Sequence, residues 1–285
     1  MGSVLLRRSE ASEAVLSEAL KIFPALENQD SLTGAELLEC RPELTSFASS
    51  GLCLEIANQV RLLPESALFS IETAAGNMSA SKRLKKADSF TVDLTSGKLR
   101  WRIDHPGLEA VCKACLRLAE LDHAPLVFDA TAGLGRDSLV LASRGGVVSA
   151  FERNAVSYLL LFDALQRAEH EGCYHFALPR LYFGQVQDLC AAMPKPDVIY
   201  YDPMFPSRSK SAQVKKDMQI FHQAVGFDED TLSCARELLQ LCRLRLVVKR
   251  PSDAPPLDLG TPAGSVWSIS GGSCRFDCYR PGSLS

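Results

Sequence analysis

Residues 126–137 read LVFDATAGLGRD: an apolar run ending in an acid, a turn carrying Gly133 and Gly135, and the polar start of a helix. Glycines lack a Cβ, so the backbone can approach a ligand there, and the helix start that follows favours negative or electron-rich groups. Working outward, apolar runs at 126–130, 147–151, 181–184, 197–201 and 244–249 predict five strands. Helical patterns fill 137–143, 155–171 and 230–242 between them, with Asn154 and Asp228 as starts. Short, continuously apolar strands alternating with helices predict a parallel sheet covered on both faces. Two further strand-like runs, 265–269 and 274–279, flank Gly271-Gly272 and predict a closing antiparallel hairpin. The expected fold is therefore α/β, Rossmann-like, with a mostly parallel seven-stranded sheet.

Upstream the pattern changes. Residues 1–48 predict a helical extension in which Ala14, Val15, Ala19, Ile22 and Phe23 share a face. A second short helix is expected at 33–40, with Pro24 and Pro42 as punctuation. Residues 49–104 read as a small α+β subdomain whose hairpin pairs 90–94 with 99–103 through a turn at Gly97. A boundary falls near 104, before an apolar helix at 108–121, and 105–285 form the Rossmann-like domain. Of 285 residues, 46% are hydrophobic and 23% charged, and the net charge is −3. That balance excludes indiscriminate polyanion binding, so any nucleic-acid contact requires a local basic patch. No apolar run approaches the roughly 20 residues a bilayer span needs. The N-terminal stretch carries Glu10, Glu13 and Glu18, against an export signal, so a cytoplasmic protein is expected, organellar only in a eukaryotic source with a targeting variant. Ten cysteines in such a chain predict reduced thiols. Cys112 with Cys115 and Cys274 with Cys278 have spacings a zinc site can use, but each pair also marks one buried face of a helix or strand. Packing is the expected role, and no metal is expected; the five histidines form no metal or triad spacing.

A dinucleotide site would place a third glycine where this chain has Ser138. That difference, with Asp129 immediately before the turn, points to S-adenosyl-L-methionine, although a bare strand–helix turn has the same look. Glu152 closes the second strand, where a carboxylate can accept from both ribose hydroxyls; a solvated charge paired with Arg153 is the alternative. Asp188 follows the third strand, placed for an adenine amine or for a helix cap. The catalytic signal is VIYYDPMFP at 198–206. An exocyclic base nitrogen is a poor nucleophile because its lone pair is delocalised. A carboxylate and a carbonyl, from Asp202 and Pro203, can each accept one N–H and aim that lone pair, while Phe205 stacks on the base. A strand capped by a proline turn, with Phe205 in the core, is the other reading. Arg208, Lys210, Lys215 and Lys216 then form a basic segment suited to phosphates or to plain solvation, and Lys249 and Arg250 leave the fifth strand toward the same cleft. Tyr200 and Tyr201 read as sheet packing.

Taken together, DATAGLGRD (129–137), FERN (151–154), YYDPMFPSRSKSAQVKK (200–216), VVKRPSDAPPL (247–257) and RFDCY (275–279) closely resemble the ribosomal small-subunit methyltransferase J family. The resemblance is dense over about 126–280, thin from 52 to 103, and does not evidently cover 1–48. It implies a class I S-adenosylmethionine-dependent methyltransferase fold and methylation of a guanine N2 in 16S-type ribosomal RNA. The RNA, or an assembly intermediate containing it, is the implied partner, with no obligate protein partner. Cofactor contacts carried onto matching positions are Arg136, Asp137, Glu152, Arg153 and Asp202. A small hydroxylated pair in the family aligns with Gln187 and Asp188 here, a departure. The segment WRIDHPGL (101–108) carries fewer cations than its family counterpart. Other readings stay open: an amino-methyltransferase acting on adenine, cytosine or protein glutamine, or a non-catalytic RNA-binding assembly factor.

Overall fold

The computed structural model describes residues 3–6, 11–29, 31–32, 52–56, 59–64, 90–107, 109–204, 221, 224–225, 230–262 and 264–282. Strands β1 (Ser3–Leu6), β2 (Ser31–Leu32), β3 (Leu52–Ile56) and β4 (Val60–Pro64) form one sheet in the order β2-β1-β3-β4. The second sheet contains β5 (Leu126–Asp129), β6 (Val147–Glu152), β7 (Arg180–Phe183), β8 (Val198–Tyr201), β9 (Arg245–Pro251), β10 (Val266–Ser270) and β11 (Cys274–Tyr279). Its order is β10-β11-β9-β8-β5-β6-β7. Strands β5 to β9 pair in parallel, and β11 and β10 close the edge antiparallel. This is the seven-stranded Rossmann-like sheet that the sequence predicts.

From β5 the chain steps outward through β6 to β7, then returns to place β8 on the other side of β5. Strand order reverses between β5 and β8, and the crevice at the carboxyl ends of two such strands is where open α/β sheets bind ligands. The strands themselves form because both faces are covered. All four residues of β8 are buried. Ile199 and Tyr201 join a core with Cys234, Ala235 and Leu238 of the helix Thr231–Leu241, whereas the Tyr200 ring lies 6.3 Å from Phe276. Burying each large apolar side chain this way contributes ~1.5–3 kcal/mol.

None of the four strands of the first sheet is among the predicted ones, whereas its helix is. Helix α1 (Glu13–Ile22) buries Val15, Ala19 and Ile22 as expected, and Ser12 caps it by accepting from the Val15 N–H at 3.3 Å. Ala14, however, is exposed. The short β1 and β2 were not anticipated, because two to four residues show no period of their own. β1 pairs in parallel with β3, so this sheet crosses the boundary expected at 48/49. The helix expected at 33–40 lies outside the described residues.

One expectation is overturned outright. Residues 99–103 do not form a hairpin strand; they lie in helix α2 (Gly97–Asp104). The alternation Leu99, Trp101, Ile103 mimics a strand, yet Trp101 is 60% exposed and the buried positions, Leu99 and Ile103, stand one helical turn apart. Arg100 Nε donates to Asp104 Oδ2 at 2.8 Å across one helical turn. Phe90 instead pairs with Leu62 of β4. The apolar helix that follows is α3 (Ala110–Leu116), shorter than 108–121, and it packs on β8, β9, β10 and β11.

The remaining helices are α4 (Arg136–Ser143), α5 (Ala155–His170), the single turn α6 (Val186–Leu189) and α7 (Thr231–Leu241). Asn154 starts α5 as predicted, accepting from Val156 and Ser157 N–H at 3.0 and 3.1 Å. α7 starts from Asp230; the predicted starter, Asp228, lies outside the described residues. Two compact units divide the chain: 1–93, 154–164 and 206–227 in one, and 94–153, 165–205 and 228–285 in the other. Among the described residues, no helix is long and apolar enough to cross a membrane.

Candidate active site

The turn after β5 is tied on both sides. Ala130 N–H donates to the Tyr200 carbonyl at 2.8 Å and Ala132 N–H to the Phe151 carbonyl at 2.9 Å. Gly133 and Gly135 take φ +53° and +70°, the left-handed region that side chains disfavour. A Cβ built on Gly133 would meet nothing nearer than the Thr131 carbonyl at 3.9 Å, so the surface over the turn is open. Asp129 supports this turn from below. It is 1% exposed; its Oδ1 accepts from Thr131 N–H at 3.2 Å and its Oδ2 from Ser138 Oγ. Burial raises its carboxyl to about 7, against the two hydrogen bonds that favour the anion. Ser138, where a dinucleotide site would have glycine, is thus the donor that holds this acid.

Glu152 ends β6 beside the turn, buried, with Oε2 accepting the Gly133 N–H at 2.9 Å. Arg153 does not pair with it. Its guanidinium grips Asp230 at 2.6 and 2.9 Å and reaches Gln185 Oε1 at 3.3 Å. Gln187 is likewise engaged with α7, donating to Glu237 Oε2 at 3.1 Å and Cys234 Sγ at 3.2 Å. Asp188 is exposed in the single turn after β7, and Arg136 is exposed at the start of α4.

At the end of β8, Asp202 N–H donates to Thr131 Oγ1 at 2.7 Å, which fastens the acid–proline motif to the glycine turn. Pro203 is buried; Phe205, Arg208, Lys210, Lys215 and Lys216 lie outside the described residues. Lys249, expected from the sequence to contact RNA, stands between two acids, Nζ 2.8 Å from Asp202 Oδ2 and 3.1 Å from Asp137 Oδ2. Burial alone would lower its pKa, but Asp202 and Asp137 outweigh that and hold it raised. Arg250 donates to the Pro255 carbonyl at 2.9 Å.

Asp137 collects two more donors. Tyr200 Oη lies at 2.8 Å and Arg102 Nη2 at 3.1 Å, with Arg102 also bound to Glu109. Burial works to raise the Asp137 pKa, yet Lys249, Arg102 and Tyr200 together hold it below the usual carboxylate range. Tyr200 is both sheet packing and a donor, kept neutral by burial and neighbouring carboxylates. Arg102 carries no local signal as a site residue because 99–103 has the period of a strand as well as of a helix, and neither Glu109 nor the Thr131 hydroxyl has a signal of its own. The cysteine pairs pack: Cys112, Cys115 and Cys278 are buried, and burial pushes the Cys112 thiol up to about 11 and Cys278 up to about 12. Among the described residues, no group of three or more His, Cys, Asp or Glu is placed to hold a metal ion.

Comparison with known proteins decides the family. A family model described as "Putative SAM-dependent methyltransferase" matches residues 56–281. Ribosomal RNA small subunit methyltransferase J of Neisseria gonorrhoeae is 42% identical over 196 residues, 67% of this chain and 76% of that protein. The chain belongs to the ribosomal RNA small subunit methyltransferase J family. A second member, from Thioalkalivibrio sulfidiphilus, is 40% identical over the same shares of both chains. Among solved structures, a SAM-dependent methyltransferase of Neisseria gonorrhoeae is similar over 100% of this chain and 98% of its own, with a TM-score of 0.60 and 26% identity. The fold is class I and the enzyme is S-adenosylmethionine-dependent. The residues fit that cofactor: an open, positive-φ turn between β5 and α4, and a buried acid at the end of the adjacent strand.

Proposed function

We propose that this enzyme methylates the exocyclic N2 of a guanine in small-subunit ribosomal RNA, the RNA that its relatives' name states. One observation carries the reading. The Asp202 N–H on Thr131 Oγ1, at 2.7 Å, sets an amine acceptor beside the cofactor turn. Gly133, Gly135 and Arg136 form the cofactor cradle, Glu152 takes the ribose hydroxyls, and Asp188 meets the adenine amine. Bound S-adenosylmethionine supplies a methyl already activated on a sulfonium.

The chain's own work is to prepare the nucleophile. The Asp202 carboxylate and the Pro203 carbonyl each accept one N–H, which pyramidalises the nitrogen and aims its lone pair. Such alignment can contribute up to ~7–11 kcal/mol. The fixed carboxylate also stabilises positive charge growing on nitrogen, by about 3 kcal/mol. Phe205 stacks on the base for ~1–3 kcal/mol. The proton leaves to solvent after transfer, so no covalent enzyme intermediate is needed. The guanine must leave its stack at a cost of a few kcal/mol, least in partly assembled RNA. Arg208, Lys210, Lys215, Lys216 and Arg250 neutralise RNA phosphates, and the cytoplasm that holds the ribosomal RNA is the working compartment.

Nucleoside mass analysis of small-subunit RNA treated with enzyme and radiolabelled cofactor tests this. Wild type should yield N2-methylguanosine, and Asp202→Asn should lose at least about a hundredfold in kcat while binding cofactor within a few-fold. Label in adenine, cytosine or a protein glutamine would replace guanine in the reading. Tight RNA binding without turnover would make the chain an assembly factor.

A further inference from the structure

Lys249 touches both sides of the site. Its Nζ meets Asp202, the amine acceptor, at 2.8 Å and Asp137, at the start of the cofactor helix, at 3.1 Å. Asp137 is held in turn by Tyr200 Oη at 2.8 Å and Arg102 Nη2 at 3.1 Å. Asp137 is thus a fixed anchor, and Lys249 lies across from it to the acceptor. Half-buried as it is (28% exposed), an ammonium so placed does little for phosphates in solvent.

The chemistry requires something of this kind. To hold the substrate N–H groups, Asp202 must remain an anion while positive charge grows on the nitrogen. A protonated carboxyl would present a donor to another donor and release the amine. We propose that Lys249 is a positioning residue that keeps Asp202 ionised and oriented toward the acceptor amine, with Asp137 as the counter-anchor that keeps the ammonium out of the cleft. This rests on the amino-methyltransferase reading above. The charged and titratable groups around the pair come from every packed element. Among the described residues they are Tyr200 and Asp202 at β8, Asp137 on α4, Arg102 on α2 with Glu109 before α3, Asp129 on β5, and Cys274 on β11, whose thiol burial keeps neutral. Among the groups named, Lys249 alone touches the Asp202 carboxylate.

The test follows the Asp202 carboxyl directly, by 13C NMR titration of labelled enzyme assigned with Asp202→Asn. Removing an opposite charge at contact distance moves a carboxyl by ~1–3 pH units. Lys249→Met should therefore raise the Asp202 midpoint by at least about one unit and shift the acid limb of kcat upward by the same amount. The deficit should be about tenfold per unit on that limb and shrink at high pH. Lys249→Arg should restore both, with cofactor affinity by calorimetry within about threefold throughout. If Lys249→Met does not fold, the pair Lys249→Met with Asp137→Asn removes an acid along with the cation, and a smaller rise in the same direction is expected, because the lost acid was a like charge near Asp202. A midpoint unchanged in the folded variant overturns the assignment. So does a pH-independent loss of kcat that arginine fails to recover. Wild type making no N2-methylguanosine sinks the guanine reading while leaving the titration result to stand.

Discussion

At the scale of single residues, Asp129 has the most telling environment. It is buried under the turn, and its carboxyl is raised to about 7 from an ordinary 3.8. A raised folded-state value means the stabilisation is full below the usual carboxylate range and is lost as pH climbs through about 7. Asp129→Asn keeps the shape and removes the titration. Urea unfolding should show wild type losing roughly 4 kcal/mol relative to Asp129→Asn between pH 4 and pH 8. Parallel pH–stability curves for the two proteins would contradict a buried, titrating Asp129. Arg153 and Asp230 are a contrasting case: geometry is good at 2.6 and 2.9 Å, but both side chains are close to half exposed. Such pairs contribute at most about 1 kcal/mol.

Among the elements, α2 decides whether the site is complete, since it delivers Arg102 to Asp137. Its C-terminal end is fastened by Arg144, whose guanidinium donates to the carbonyls of Arg102 at 2.7 Å and Ile103 at 3.3 Å. Helix and hairpin make opposite forecasts for two substitutions. As a helix, α2 buries Leu99 and exposes Trp101. Leu99→Ala should cost about 2–5 kcal/mol by leaving a cavity, and Trp101→Ala about 0.5 kcal/mol or less. In a hairpin the two would share a face and cost alike. Comparable losses in chemical denaturation would restore the hairpin.

For the whole molecule, the strand-order reversal between β5 and β8 is what brings residues seventy positions apart into one crevice. Ligand bound only to the folded state stabilises it by mass action, about 2.7 kcal/mol at a hundred times Kd. S-adenosylmethionine at that excess should raise the melting temperature by about 5–10 °C. Glu152→Ala, which removes the acid beside Gly133, should erase most of that rise at the same concentration. An undiminished rise in thermal melts of the variant would remove Glu152 from the cofactor site.

Strands β5, β6, β8 and β9 could be read directly because continuous burial leaves a short apolar run, bounded by turn residues and too brief for a helix. The glycine turn and the acid–proline motif were legible for a related reason, since backbone conformation and local chemistry both sit within a few consecutive residues. Partner choice was not. Whether Arg153 faces Glu152 or Asp230, and whether Lys249 reaches RNA or Asp202, depends on which strand lies beside which, and no local spacing encodes that. The same holds for α2, where apolar residues two apart and four apart coincide at Leu99 and Ile103, and only the face buried by neighbouring elements chooses between periods. Chain order alone therefore determined the seven-stranded α/β sheet and the chemistry's raw materials. Tertiary packing decided the ionic wiring, because charges separated in sequence by tens of residues meet only after the sheet has ordered its strands.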